Sequence, residues 1–446
     1  MARWVWAYQA VGYAYQSDLN TENTTGADFQ YFPAEVGMPD FTRAMFDLKM
    51  STGQVGAKYA PTAGAKRAKI TIKMPLYGFK KAFDPTTEEA GITTNVINAA
   101  QVLTALALGS NSEAAGMSAA NLAKGKGMAI ADITAGWSQT YANNEIASVP
   151  STTSVTVQAG DGSKFKAGQL LACGVDKTDT AQTLAWIRSI STDTLTFLDA
   201  PGNQPQSNDD VWGSVVAFVS GQQPCPITIR LLGDNSAFKI ALIGCIPSAW
   251  KFTGKAGEPP AIEVTFEAAG VTTYGTGGGL QPLTVTPQIP GPLLGTGAGR
   301  FTYSTGVSAM AAVCGIRDFS VEVANAIVDI PCYGKTSGIS ERLVSDRDVK
   351  IKWSHPRDSS DTITGGSGPF DAMFEAGTQA RFALYGGTLP GTLLSLLCPA
   401  MYLAEPPKTV EAEGLVHDEL TWRPAPYSAD GASTDAGNSV FRVGFA

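Results

Sequence analysis

The sequence predicts a mainly β protein: two tandem copies of one unit, each a β-sandwich or bent sheet with one packed helix, plus a small SH3-like β-barrel inserted in the first copy. Three observations predict it. Strict alternation of apolar and polar residues recurs, as in AKITIKMP (68–75) and IEVTF (262–266), the period of a half-buried strand. The 446 residues include 48 Gly and 26 Pro but only 16% charged residues, which suits short strands joined by turns. The third is a recurrence: VKIKWSHP (349–356) is close to AKITIKMP, Lys69 aligning with Lys350, Ile70 and Ile72 with Ile351 and Trp353, and Pro75 with Pro356.

The recurrence extends in order. FDLKM (46–50) parallels FSVEV (319–323), and loops holding YAPTAG (59–64) and YGKTSG (333–338) follow. After the matched strands comes a helical pattern. TTNVINAAQVLTALALG (93–109) sets Val96, Ala99, Ala100, Leu103 and Leu106 on one face, with Gly109 as a stop. GSGPFDAMFEAG (366–377) is its shorter counterpart, with Phe370, Met373 and Phe374. Three strands close each copy: ITIRLLGD (227–234) with RFALYGGT (381–388), KIALIGCIPSAWKF (239–252) with TLLSLLCPAMYLAE (392–405), Cys245 opposite Cys398, and EPPAIEVTFEAA (258–269) with EAEGLVHDELTWRPA (411–425). One copy therefore spans 41–109 and 225–270, the other 313–446.

The remaining segments divide by composition. Residues 1–40, with Trp4, Trp6, Tyr8, Tyr13 and Tyr15, read as an arm without a core of its own, lying against a neighbouring copy or subunit. The insertion, 110–224, begins Ala-, Gly- and Asn-rich, with Trp137 and Tyr141 as anchors. Its part 150–222 offers strands at 154–160, 165–175, 183–191, 193–201 and 211–220 with turns between, expected as a barrel displayed outward from a surface loop. Residues 271–312 read as a Gly/Pro-rich linker. Its GTGGG and GTGAG lack a following Lys-Ser/Thr and the strand–helix setting of a phosphate loop.

Chemistry is sparse. His355 and His417 read as strand residues of different copies, without the spacing of a metal or protease motif. No GxSxG occurs, and DPTTEE (84–89) and SDRD (345–348) read as solvated loop charge. The six cysteines, without CxxC spacing, read as buried free thiols of a protein made in the cytosol. No enzyme activity, cofactor or metal is expected. Net charge −8 argues against ordinary nucleic-acid binding. No apolar run reaches membrane-spanning length, and the first residues lack the order of a signal peptide.

The segment IALIGCIPSAWKFTGKAGEPPAIEVTFEAAG (240–270), with its turn at Lys255, Gly257 and Glu258, and the looser CPAMYLAEPPKTVEAEGLVHDELTWRPAPY (398–427) resemble the tail tube protein of long-tailed bacteriophages. The resemblance covers about two thirds of the chain. It implies two tail-tube-like copies in a virion protein of the phage tail, assembled in the host cytoplasm, whose rings stack into a hollow tube and whose inner sheets join edge to edge. A chain with two copies would need three subunits per ring, a trimer with pseudo-sixfold symmetry. Its partners would be further copies of itself and the tape measure, terminator and baseplate proteins. DNA would pass without specific binding, an acidic balance favouring its passage. Two loops, 51–67 and 324–348, would reach the next ring through Gln54, Lys58, Tyr59, Lys66 and Arg67, and through Asn325, Asp329, Tyr333, Lys335, Glu341, Arg342, Asp346 and Arg347. The alternatives are a terminator or baseplate hub ring of the same fold, and a surface β-repeat adhesin.

Overall fold

The computed structural model describes residues 10–25, 28–32, 34–46, 62–76, 99–109, 146–165, 167–174, 183–202, 204–213, 215–233, 238–255, 258–274, 300–305, 310–313, 316, 318–356, 370–387, 393–412, 414–428 and 435–445. They are mainly β. In chain order come β1 (Ala10–Tyr15), β2 (Gln30–Phe32), β3 (Glu35–Val36), β4 (Asp40–Phe46), β5 (Thr62–Pro75) and helix α1 (Ala99–Leu108). A small sheet holds β6 (Ile146–Ser151), β7 (Ser154–Val157), β8 (Leu170–Gly174), β9 (Thr183–Ser191), β10 (Thr194–Phe197) and β11 (Asp210–Gly213). The main sheet resumes with β12 (Val215–Phe218), β13 (Ile227–Gly233), β14 (Phe238–Lys255), β15 (Ala261–Ala268) and β16 (Gly270–Tyr274). The carboxy-terminal half contains β17 (Arg300–Thr305), β18 (Ala311–Val313), β19 (Asp318–Pro331), β20 (Ile339–Pro356), helix α2 (Phe370–Ala376), β21 (Ala380–Gly386), β22 (Leu394–Leu403), β23 (Lys408–Ala412), β24 (Leu415–Pro424) and β25 (Arg442–Phe445).

The two halves repeat one antiparallel pairing scheme. β4 pairs β5, β5 pairs β15, β15 pairs β14, β14 pairs β13, and β13 pairs β1. Likewise β19 pairs β20, β20 pairs β24, β24 pairs β22, β22 pairs β21, and β21 pairs β17. The repeated octapeptides take equivalent places: Ile70 faces Phe266 as Ile351 faces Trp422. Even the irregularities recur. Ile227 faces Cys245 while Ile229 faces Leu242, and Ala380 faces Met401 while Phe382 faces Cys398, the same one-residue bulge. A second shared bulge separates Arg43 from Met45 and Ala326 from Ile327.

This register revises several sequence expectations. Leu242, not Cys245, stands where Cys398 stands. FDLKM does not align with FSVEV: Phe41 faces Ala68 as Val323 faces Val349, which puts Phe46 level with Val328, and residues 47–50 lie outside the described residues. An alternating pentapeptide matches any strand, because period two carries no register of its own. The N-terminal arm is not coreless from Ala10 onward, since Val11, Tyr13 and Tyr15 are buried in the main core. Nor is 271–312 all linker, since β17 lies in it and β18 begins in it, β17 occupying the place of β1. The patterns VGYAY and FTYST carried that signal in Val11 and Phe301 and in the two tyrosines Tyr13 and Tyr303. The expected loop 324–348 is mostly hairpin: β19 and β20 stay paired to Pro331 and Ile339, their charged outer ends masking the alternation.

The inserted unit closes on itself. Ile146 N–H donates to Asp209 O at 2.9 Å and Asn208 N–H to Ile146 O at 2.8 Å, joining β6 to the lead-in of β11. Val155, Phe165, Leu171, Ile187, Leu195 and Phe197 fill its interior. The predicted strand 211–220 divides after Gly213: β11 stays in the barrel while β12 crosses to pair β25 in the main sheet. The barrel is also seated on the carboxy-terminal half. Leu170, Leu184 and Trp186 pack with Ala383, Tyr385 and Leu397, and Trp186 Nε1–H donates to Ser395 Oγ at 2.9 Å.

Candidate functional site

The two halves join along one edge. The carboxy-terminal part of β14 pairs β15 on one side and β19 on the other, with Ala249–Lys255 running against Asp318–Ala324. One continuous ladder results: β4–β5–β15–β14–β19–β20–β24, closed by β22 and β23 on the far side of β24. Alternation sends Ile70, Ile72, Trp250, Phe252, Val264 and Ile351 into the core. The intervening side chains form the opposite, solvent face.

That face carries charge of both signs, spaced at strand intervals. Lys251 Nζ lies 3.0 Å from Glu322 across the junction of the halves, and Lys352 Nζ, on the neighbouring strand β20, lies 3.6 Å from the same carboxylate. Lys69 pairs Glu267 at 3.9 Å, Lys73 pairs Glu35 at 3.8 Å, and Asp348 receives Lys350 at 3.5 Å and Arg423 at 3.7 Å. Thr71 and Thr265 hydroxyls meet at 2.9 Å between them. Burial raises the Glu322 carboxyl, but the Lys251 hydrogen bond and the charges of Lys352 and Lys251 outweigh it, leaving its pKa below the ordinary value. At one end, where Lys251, Asp318, Lys352, Lys408 and Glu419 converge, the face deepens into an open trough of about 830 Å³.

Above the junction, the hairpin of β19 and β20 reaches over the amino-terminal half. Asn325, buried, donates through Nδ2 to Ala107 O and Pro247 O, both at 2.9 Å. Arg342, buried, binds Asp329 at 2.8 Å and Glu267 O at 2.7 Å. Arg347 donates to Ser220 O at 2.6 Å and Gln222 O at 2.8 Å; burial lowers its pKa. It lies against Gly109, whose φ of +82° ends α1 and where a Cβ would strike the guanidinium. Gln223 exchanges two hydrogen bonds with the Val344 backbone, 3.0 and 2.7 Å.

The residues expected to reach a neighbouring ring thus have varied places. Asn325, Arg342 and Arg347 fasten the two halves of one chain. Asp329 also takes Arg67 at 3.0 Å, Lys335 approaches Asp18 at 3.7 Å, and Lys66 lies over the Phe41 ring at 4.2 Å. Asp346 accepts from the neighbouring Arg347 backbone N–H at 2.8 Å and is exposed, as are Glu341 and Tyr333. Tyr333 stands fully free at the hairpin turn, with Val328 and Ile330 exposed behind it. Gln54, Lys58 and Tyr59 lie outside the described residues, as do DPTTEE, Trp137, Tyr141 and the two Gly-rich motifs.

His355 and His417 belong to one half, on adjacent strands β20 and β24, both buried. Among the described residues no group of three His, Cys, Asp or Glu side chains is placed to hold a metal ion, and no helix is long and apolar enough to cross a membrane. The described cysteines are free thiols, and burial raises Cys225 to about 11 and Cys245 to about 12. No family model matches the chain, and no curated protein is significantly similar to it.

Proposed function

We propose that the chain is the subunit of a phage tail tube, a structural virion protein that forms trimeric, pseudo-sixfold rings which stack around a channel for DNA. The single observation that carries the reading is the junction of β14 with β19, where one wedge of sheet continues edge to edge into a second wedge of the same topology. Repetition of such a junction generates a closed wall, and closure removes the open edges that otherwise invite aggregation. With two wedges per chain, three chains supply six.

In this reading the charged face lines the channel, because the other face of the ladder is core. The lining is balanced more than acidic: Lys69, Lys73, Lys251, Lys350, Lys352 and Arg423 each stand within 4 Å of a carboxylate. Lysines already neutralised by neighbours gain little by displacing counterions from phosphate, so duplex slides without a fixed binding site. The hairpin tip at Tyr333, with Val328 and Ile330, is the surface offered to the next ring. Tape measure, terminator and baseplate proteins are the further partners of such a tube, and no catalytic role is assigned.

Electron microscopy of the purified protein tests this. Long hollow tubes are expected. Isolated rings that never stack would favour a terminator or hub, and monomers at every concentration would overturn the assembly reading.

A further inference from the structure

The pairing scheme repeated in the two halves also specifies which edges the internal junction leaves over. β14 is joined to β19; by the shared register, the equivalent of β19 in the amino-terminal half is β3–β4, and the equivalent of β14 in the carboxy-terminal half is β22–β23. Among the described residues β4 pairs with β5 alone and β23 with β24 alone, so each keeps one open edge. These two edges cannot meet within one chain without displacing the wedges between them. A second copy of the chain fits both.

The register transfers residue by residue. Lys251 faces Glu263 on β15, and Lys408 faces Glu419 at the matching place on β24. Glu322 faces Lys350, and Asp40 faces Lys69 at the matching place on β5. The Lys251–Glu322 pair of the internal junction, 3.0 Å apart, therefore has its counterparts in Lys408 and Asp40, a lysine and an acid again, both exposed on open edges. Exposed apolar side chains sit beside the same edges: Met38 next to β4, and Tyr402, Leu415 and Val416 around β23.

The edges differ from the internal ones in one respect. β14 is continuous from Phe238 to Lys255, whereas its counterpart breaks between β22 and β23 at Pro406 and Pro407. β19 is continuous through Ser320 and Val321, whereas β3 and β4 are separated by Gly37, Met38 and Pro39. Proline has no N–H to donate to a ladder and is a common guard of edge strands. Both outward edges carry it at places where the inward edges do not.

We propose that β4 of one chain adds antiparallel to the outer edge of β23 of a second chain, with Asp40 opposite Lys408, and that Pro39, Pro406 and Pro407 keep this interchain seam shorter than the intrachain one. Three strong seams inside chains would then alternate with three guarded seams between them, so that single chains associate weakly and the closed ring is favoured. The proposal rests on the ring-forming part of the function above, and not on stacking or on DNA passage.

Opposed residues of an antiparallel pair lie close enough for a disulfide. The Asp40→Cys/Lys408→Cys variant, oxidised in a Cys332→Ser background, is expected to run on a non-reducing gel as one, two and three linked chains and no more. The Lys251→Cys/Glu322→Cys variant is the folding control and should cross-link without change of mass. A mixture of chains carrying only Asp40→Cys with chains carrying only Lys408→Cys should give the two-chain product alone. Monomer alone, or a ladder continuing past three, would overturn the seam. So would tubes by microscopy without the cross-link, with the function left standing. Cross-linked rings that never stack would keep the seam and remove the tube. Pro406→Ala/Pro407→Ala should raise association measured by light scattering at least several-fold; unchanged or weaker association would overturn the guarding role.

Discussion

The two halves share a scaffold but fill it differently. At matching positions the amino-terminal half has Val11, Val36, Ile72, Ile229 and Phe266, where the carboxy-terminal half has Phe301, Phe319, Trp353, Phe382 and Trp422. The second half is packed by aromatic contacts, with Trp353 stacked on Trp422 at 5.1 Å and Phe301 on Phe382 at 5.6 Å. The first half places a longer helix in that space. α1 has ten residues, all buried, and its Thr104 Oγ1 accepts from Trp250 Nε1–H at 3.0 Å; α2 has seven, with Phe370 and Met373 buried. Interiors are filled to a fixed density, so volume lost from strand side chains is returned by helix. A helix buried on every side needs no amphipathic pattern, which explains why AAQVLTALAL is almost wholly apolar.

The aromatic stack is where the two halves should differ most in stability. Trp422→Ala should cost about 3–5 kcal/mol, whereas Ile72→Val at the place of Trp353 should cost about 0.5–1.5 kcal/mol, both read from denaturant midpoints. Leu103→Ala in α1 should cost about 2–5 kcal/mol, because the helix carries the packing that rings carry elsewhere; a loss no larger than that of a surface change would contradict this. Asn325→Ala leaves Ala107 O and Pro247 O without their donor, and about 1–3 kcal/mol is expected. That change should also loosen amide-exchange protection along the junction of the halves. Trp186→Phe removes the bond to Ser395 and trims the buried indole to a phenyl, so a loss of at least about 0.5–1.5 kcal/mol is expected, with the barrel itself still folded.

The smallest effect is a pH dependence. Glu322 has a folded pKa below its ordinary value, so its contribution is present above the unfolded carboxylate pKa and is lost as pH falls through the folded one. Glu322→Gln should flatten the acid limb of the stability profile and leave the neutral limb parallel to the parent. An unchanged acid limb would mean that the lysines at the junction do not hold this carboxylate.

Much of the scaffold was legible because strands with one wet face must alternate. AKITIKMP and VKIKWSHP lie at equivalent places, and four of the inserted strands begin within one residue of their predicted starts, while β8 begins five residues late. What alternation cannot supply is register, which is why FDLKM was aligned nine residues away and Cys245 three residues away from their structural counterparts. Nor does local pattern reveal a long-range pairing such as β12 with β25. Charge misled in the hairpin: Arg342 and Arg347 read as loop residues reaching the next ring, yet each places its guanidinium on backbone carbonyls of the other half of its own chain. The alternation of apolar and polar positions was legible in AKITIKMP and IEVTF, but which charged side chains meet across strands required the sheet.

In the proposed assembly one polypeptide contributes two wedges to a closed ring. Native mass measurement of rings released from assembled protein tests it most directly. Three chains of 46.6 kDa per ring are expected, and six chains per ring would mean that each chain supplies a single wedge.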